Sequence, residues 1–146
     1  MHRVERSALV RHSADDMYQL VNDVASYPEF LKWCHSARVL NDEPKAMDAE
    51  LEIAWKGLHK VFTTHNNLVP GEQIELNLVS GPFKKLQGIW DFKPLKEDAC
   101  KVSMDIEFEF TNALSNTLFG TIFSQICNSL IESFVERADA VYGESL

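Results

Sequence analysis

Cysteine is scarce in this chain and never clustered. Cys34, Cys100 and Cys127 lie far apart, and no Cys-x-x-Cys occurs. That excludes a disulfide framework and a dithiol redox motif, and leaves three free, mostly buried thiols in a reducing compartment. Long apolar runs are missing too, since none reaches the roughly 18 residues that cross a bilayer. The opening Met1-His2-Arg3-Val4-Glu5-Arg6 is charged and lacks the apolar stretch of an export signal. The expectation is a soluble, unexported protein, cytoplasmic and at most peripheral at the inner membrane. There is no internal repeat, low-complexity tract or linker, so residues 1–146 are expected to form one domain. At that length about 70% of the unfolded surface can be buried, enough for a core without disulfides or metal.

Positive charge is in short supply. The 14 Lys and Arg stand against 22 Asp and Glu, a net charge of −8. Such a protein is repelled by phosphate backbones and anionic lipid, which argues against DNA as a partner. Lys84, Lys85, Lys93 and Lys96 are the local exception. They suit a solvated sheet edge guarded by lysines, or a small basic contact patch. Catalytic signatures are missing as well. His2, His12, His35, His59 and His65 show no His-Glu-x-x-His spacing, and there is no Gly-x-Ser-x-Gly elbow or phosphate loop. His65 with Asn66 and Asn67 is the one polar cluster in an expected strand, and a solvent-facing strand histidine accounts for it. No catalytic residue, metal ligand or cofactor other than a bound lipid is expected, and the protein is not expected to be an enzyme.

What is present is most concentrated in residues 23–34, Asp-Val-Ala-Ser-Tyr-Pro-Glu-Phe-Leu-Lys-Trp-Cys. A helix ends near Val24 and a very short one starts at once. Ser26 is expected to accept from the Glu29 N–H and Glu29 to reach back to Ser26, a capping box, with Pro28 in the first turn. That turn brings Tyr27, Phe30, Leu31 and Trp33 together, and they must cover a sheet, a cavity mouth or a partner. Exposed, the same turn would suit contact with a membrane surface, where tryptophan favours the interface.

The rest of the chain alternates between two periods. Residues 3–10 suit a first strand. Ser13 is placed to cap a helix whose Met17, Leu20, Val21 and Val24 share one face. Period two then dominates. Leu51, Ile53 and Trp55 form one alternating set, followed by Ile74, Leu76 and Leu78. Residues 85–93 and 100–110 continue the pattern. Lys56-Gly57, Pro70-Gly71 and Lys96-Glu97-Asp98 punctuate it as turns. From about Leu114 to Tyr142 the period is helical, with Phe119, Phe123, Ile126, Cys127, Leu130, Phe134 and Val141 on one stripe. Such a helix is roughly 30–40 Å long, enough to cross a sheet of this size. Short turns imply antiparallel neighbours. The expected fold is therefore α+β: a curved antiparallel sheet of about six to seven strands around one long C-terminal helix, with two short helices after the first strand.

Three segments carry a family resemblance. They are Leu20-Val21-x-Asp23-Val24-x-x-Tyr27-Pro28-Glu29-Phe30-Leu31-x-Trp33-Cys34, then Gly81-Pro82-Phe83-Lys84-x-Leu86-x-Gly88-x-Trp90-x-Phe92, then Phe108-Glu109-Phe110-x-Asn112-x-Leu114 with Phe134-x-x-Arg137-Ala138 and Val141-Tyr142-Gly143. With their spacing they resemble the START-like, helix-grip superfamily. More narrowly they are similar to the coenzyme Q-binding proteins and their bacterial relatives, the ribosome-association toxins. Lys32 stands where relatives often carry proline. The resemblance implies a deep apolar tunnel holding a lipid, which in the coenzyme Q branch is ubiquinone, used in respiration. In the bacterial branch it implies binding to the large ribosomal subunit and a block to subunit association. Distant superfamily members are cyclases and hydratases, so an enzyme using the same cavity is a further alternative.

Under the lipid reading, Phe119, Phe123, Ile126 and Leu130 would line one wall. Trp55, Phe62, Leu86, Trp90 and Phe108 would line the other, and Tyr27, Phe30, Leu31 and Trp33 the mouth. Any one of these residues equally suits an ordinary packed core. Under the ribosome reading the surface matters instead, with Lys84 and Lys85 as contacts. Leu130→Glu is expected to fold yet lose co-purifying lipid, checked by organic extraction and mass spectrometry. Unchanged lipid content in the folded variant would sink the assignment.

Overall fold

The computed structural model describes residues 2–111 and 117–143. Asn112 and Leu114 of the third motif, and the expected start of the long helix, lie outside the described residues. Seven strands alternate with little else: β1 (His2–Val10), β2 (Cys34–Glu43), β3 (Ala46–Trp55), β4 (Leu58–Val69), β5 (Gln73–Ser80), β6 (Phe83–Lys96) and β7 (Ala99–Phe110). Helix α1 (Ala14–Asn22) and a 3₁₀ turn (Val24–Glu29) connect β1 to β2, and α2 (Thr117–Tyr142) follows β7. The strand order is β1-β7-β6-β5-β4-β3-β2, antiparallel throughout. Strands β2 to β7 form a meander. The α1–3₁₀ connection carries the chain from one edge of the sheet to the other.

Turn chemistry sets the register. Lys56 and Gly57 both have positive φ, 49° and 85°, as a two-residue hairpin loop requires, and they pair Trp55 with Leu58. Gly71, φ 76°, follows Pro70 in a turn closed by the Glu72 N–H donating to the Val69 carbonyl at 2.9 Å. Bulges in β2, β5 and β6 bend the strands around the helix. Gly88 permits a close approach within the sheet, since a Cβ there would meet Ile106 at 3.1 Å and Leu76 at 3.3 Å.

Alternation sorts the faces. In β7, Cys100, Val102, Met104, Ile106, Phe108 and Phe110 are buried and their neighbours are not. Helix α2 buries Ile122, Phe123, Ile126, Cys127, Ile131, Phe134 and Ala138 against this concave face. The buried stripe is centred differently from the sequence expectation. Phe119 and Leu130 are half-buried, Val141 is exposed, and Ile122, Ile131 and Ala138 lie within it. By length and composition α2 could cross a membrane. Here it is the helix that the sheet wraps.

Three local expectations are corrected. Ser13 does cap α1, accepting from the Asp16 N–H at 3.0 Å. Ser26, however, forms no capping box. Its hydroxyl donates to Asp23 at 2.6 Å, because the turn is 3₁₀ and begins at Val24, three residues earlier than expected, so Pro28 falls inside it. Glu29 instead accepts from Arg137 of α2 at 2.9 Å. The lysines of residues 84–96 lie not on an edge strand, since those are β1 and β2, but on the two ends of β6 beyond the Gln87–Asp91 stretch that pairs with β5.

On the convex face Arg3 of β1 grips Asp105 of β7 with two hydrogen bonds, 3.0 and 2.8 Å. This contact holds the Asp105 carboxyl below its ordinary value of 3.8. A lowered folded-state value means the contribution is present above the ordinary value and is lost as pH falls through the lower one. The Tm advantage of the parent over Arg3→Gln is therefore expected to shrink as pH falls below that range, read by thermal melts in an acid series.

Candidate functional site: an apolar cavity

Between α2 and the sheet lies an apolar cavity of about 80 Å³. Tyr27 and Trp33 reach it from the α1–β2 connection. Phe62, Leu86 and Trp90 reach it from β4 and β6, and Phe123, Ile126 and Leu130 from α2. The structure thus brings these eight sequence-chosen residues together around one space. Phe30, Leu31, Trp55, Phe108 and Phe119 are not among the lining side chains.

Each displacement has a packing cause. Phe108 points inward but is fully buried, boxed by Phe123 at 4.6 Å between ring centroids and by the His2 ring at 4.9 Å. Ile106, two residues earlier, lines the cavity in its place. Trp55 ends β3 beside the hairpin loop, half-buried under the Lys56 ammonium, 4.3 Å from its ring. Leu31 is 2% exposed and belongs to the core. Phe30 packs on Phe134 at 5.4 Å and carries the Arg137 guanidinium 4.9 Å from its ring. Phe119 is half-buried near the start of α2. The turn is therefore folded inward. Of residues 30–33 only Lys32 is exposed, with Leu31 and Trp33 buried and Phe30 half-buried.

Aromatic packing also explains the small volume. Phe62, Phe83 and Phe123 meet edge to face at 5.1–6.3 Å. Tyr27, Trp90 and Phe134 do the same at 5.4–5.5 Å. About 80 Å³ is far below the roughly 300–1,000 Å³ of sites that hold drug-sized molecules.

Sequence reasoning missed the polar part of the wall. The alternation of β4 splits the His65-Asn66-Asn67 cluster. His65 faces outward, with Nδ1 2.6 Å from Asp48 of β3. Asn66 faces inward, 3% exposed, and accepts from the Thr64 hydroxyl at 2.8 Å. The period-two signal was there to find it, since Phe62, Thr64 and Asn66 share one parity. Asn22, Val24, Leu51, Ile74, Cys127 and Phe134 are further lining residues not foreseen. Among the described residues the wall carries no carboxylate and no histidine. Its titratable groups, Tyr27 and Cys127, are both pushed above their ordinary values by burial, so both stay protonated at neutral pH. Tyr27 donates its hydroxyl to the Val21 carbonyl.

Outside the cavity, α1, the 3₁₀ turn, β2, β3 and the end of α2 border an open groove of about 600 Å³. Leu20, Phe30, Val39, Met47 and Val141 line it, and Asn22 and Val24 belong to both groove and cavity. On the other side of the sheet, Lys84 is the extra residue of a β6 bulge and is exposed, while Lys85 pairs with Glu107 of β7 at 3.1 Å.

A long helix gripped by a seven-stranded antiparallel sheet over an apolar cavity is a family architecture, and residues 10–135 match the model for polyketide cyclase/dehydrase and lipid transport proteins. The chain belongs to this family. It is 45% identical over 142 residues to the ribosome association toxin RatA of Escherichia coli K12, covering 97% of this chain and 90% of that protein. It is 26% identical over 141 residues to the mitochondrial coenzyme Q-binding protein COQ10 homolog B of Xenopus laevis, covering 94% of this chain and 58% of that one. The fold is shared with a Thermus thermophilus protein, TTHA0849 (TM-score 0.82, 19% identity, 95% and 98% of the two chains). It is also shared with a Streptomyces aromatase/cyclase (TM-score 0.82, 15% identity, 99% of both).

Phe134→Ala should remove the ring that joins Tyr27, Phe30 and Trp90. The expected cost is about 3–5 kcal/mol, a fall in Tm on the order of 10 °C by scanning calorimetry.

Proposed function

We propose that this protein acts by associating with the ribosome, binding the large subunit and opposing its union with the small one. The supporting observation is the 45% identity, sustained over 97% of the chain, to a protein named a ribosome association toxin. This ranks surface association ahead of quinone binding, the reverse of the order that the sequence resemblance alone suggested. A cytoplasmic location follows from the same reading. With a net charge of −8 the protein gains little from phosphate attraction overall. Contact through ribosomal proteins, many of them basic, or through the exposed Lys84 fits that balance.

Purified protein mixed with ribosomes is expected to sediment with particle fractions in sucrose gradients and to raise the free-subunit peaks. Protein that stays at the top of the gradient, with an unchanged profile at every salt concentration, overturns the reading. Lys84→Glu with Lys85→Glu is expected to lower the bound fraction and flatten its salt dependence. An unchanged profile would remove this patch from the contact.

A second reading, favoured by the apolar wall and the similarity to a coenzyme Q-binding protein, is non-catalytic binding of a hydrophobic molecule such as ubiquinone. The cavity's present size requires the 3₁₀ turn and α2 to part for such a ligand. Burial of each CH₂ would return about 0.8 kcal/mol. A stoichiometric quinone in extracts of gently purified protein supports it, and its absence leaves the ribosomal reading alone.

A further inference from the structure

The four lysines of residues 84–96 part company in the fold. Lys84 and Lys85 sit at the start of β6, where Glu107 of β7 takes up Lys85 at 3.1 Å. Lys93 and Lys96 sit at its far end, and there the sheet brings in cations from elsewhere in the chain. Lys93 pairs directly with Lys101 of β7, and Lys101 with Leu9 of β1, so the three form one cross-strand row on the convex face. Lys96 lies opposite Ala99, and Arg11 follows Val10, the partner of Cys100, at the same end. All four cations are exposed, and Leu9, 76% exposed, is left uncovered beside them. Like charges directly opposite one another weaken a sheet. Elsewhere on this face the cations are neutralised, Arg3 by Asp105, Arg38 by Glu50 and Lys85 by Glu107. Glu72, Asp91, Glu97 and Asp98 are near in the chain or the sheet, yet among the described residues none forms an ion pair with Lys93, Lys96, Lys101 or Arg11. A chain of net charge −8 has carboxylates to spare and still sets two lysines side by side without one.

We propose that this end of the convex face is the protein's contact with ribosomal RNA, with Lys93 and Lys101 meeting neighbouring phosphates of one strand and Lys96 and Arg11 extending the track. This rests on the ribosome-association reading above and deepens it by naming the surface. Adjacent strands lie about 4.8 Å apart, so two paired lysines on flexible stems can each hold a phosphate of the same backbone. Their mutual repulsion is relieved when the anions arrive, a gain made only in the complex. Contacts of this kind position a protein on nucleic acid without reading its sequence. Lys93 also lies past the stretch of β6 that pairs with β5, at the rim of the sheet, where a bulky partner can reach it. A polyanion fits these rows better than a bilayer does, because no aromatic side chain stands in them to anchor at a membrane interface. Leu9 then packs against the sugars between phosphates.

The test titrates the full chain into purified large ribosomal subunits and reads the bound fraction by sedimentation at several salt concentrations. Lys101→Glu is expected to bind roughly tenfold more weakly, and to lower the slope of log affinity against log salt by about two, since it removes one phosphate contact and engages Lys93 in place of a second. It is expected to melt no lower than the parent, because a repelling pair becomes an attracting one, so the loss is not unfolding. Lys101→Arg is expected to keep both affinity and slope. Hydroxyl-radical footprinting is expected to show ribose protections in the ribosomal RNA that the parent gives and Lys101→Glu loses. Parent-like affinity and slope in Lys101→Glu overturn the proposal and leave the ribosomal reading standing, as does a bound parent that protects no ribose. Binding of the parent to phosphatidylglycerol vesicles that depends on Lys101, with subunit binding that does not, overturns it as well and gives the patch to membranes. A parent that fails to bind subunits at every salt concentration removes the ribosomal reading itself and this proposal with it.

Discussion

Phe134 touches every layer of the molecule. From the middle of α2 its ring meets Tyr27 and Phe30 of the connecting segment and Trp90 of β6. Without that ring the 3₁₀ turn would be held to the helix by the Glu29–Arg137 pair and by the Arg137 guanidinium over Phe30. The sheet's curvature depends on the same contact, since its bulged strands wrap a helix whose buried stripe is largely aromatic and branched. The cavity is what remains between surfaces that meet edge to face and cannot close completely.

The two readings of function draw on different parts of this architecture. The concave side is nearly neutral and apolar, and its tyrosine and thiol are held protonated. The convex side carries the charge, arranged as cross-strand pairs such as Arg3 with Asp105, Arg38 with Glu50 and Lys85 with Glu107. A partner the size of a ribosomal subunit reads the outside, and a small hydrophobic molecule reads the inside. Nothing in the packing makes these exclusive, since the residues that would bind a ligand are not those that would meet a large assembly.

Much of the architecture was legible because it depends on local pattern. The alternation of β7 places its apolar residues inward. Lys56-Gly57 can turn only where both residues accept positive φ. The apolar spacing around Met17 and Leu20 fits one helical face. Errors arose where two local options were nearly equal. Ser26 has both Asp23 and the Glu29 N–H within reach in sequence, and the carboxylate won once the turn became 3₁₀. The lysines of β6 read as guards of an edge strand, yet β6 is an inner strand whose ends alone run past β5.

The amino-acid order alone therefore fixes which face of each strand and helix is apolar, where the hairpins turn, and the balance of charge, because each depends on neighbours a few residues apart. It does not decide which inward residues meet free space. Ile106 and Phe108 share one face of one strand, yet only Ile106 reaches the cavity, because Phe123 and His2 come from distant parts of the chain to cover Phe108. The indole N–H of Trp33 and the side-chain oxygen of Asn22, buried without a partner among the described residues, are likewise products of tertiary packing. A polar atom becomes unpaired only after every surrounding element has docked and excluded water from it.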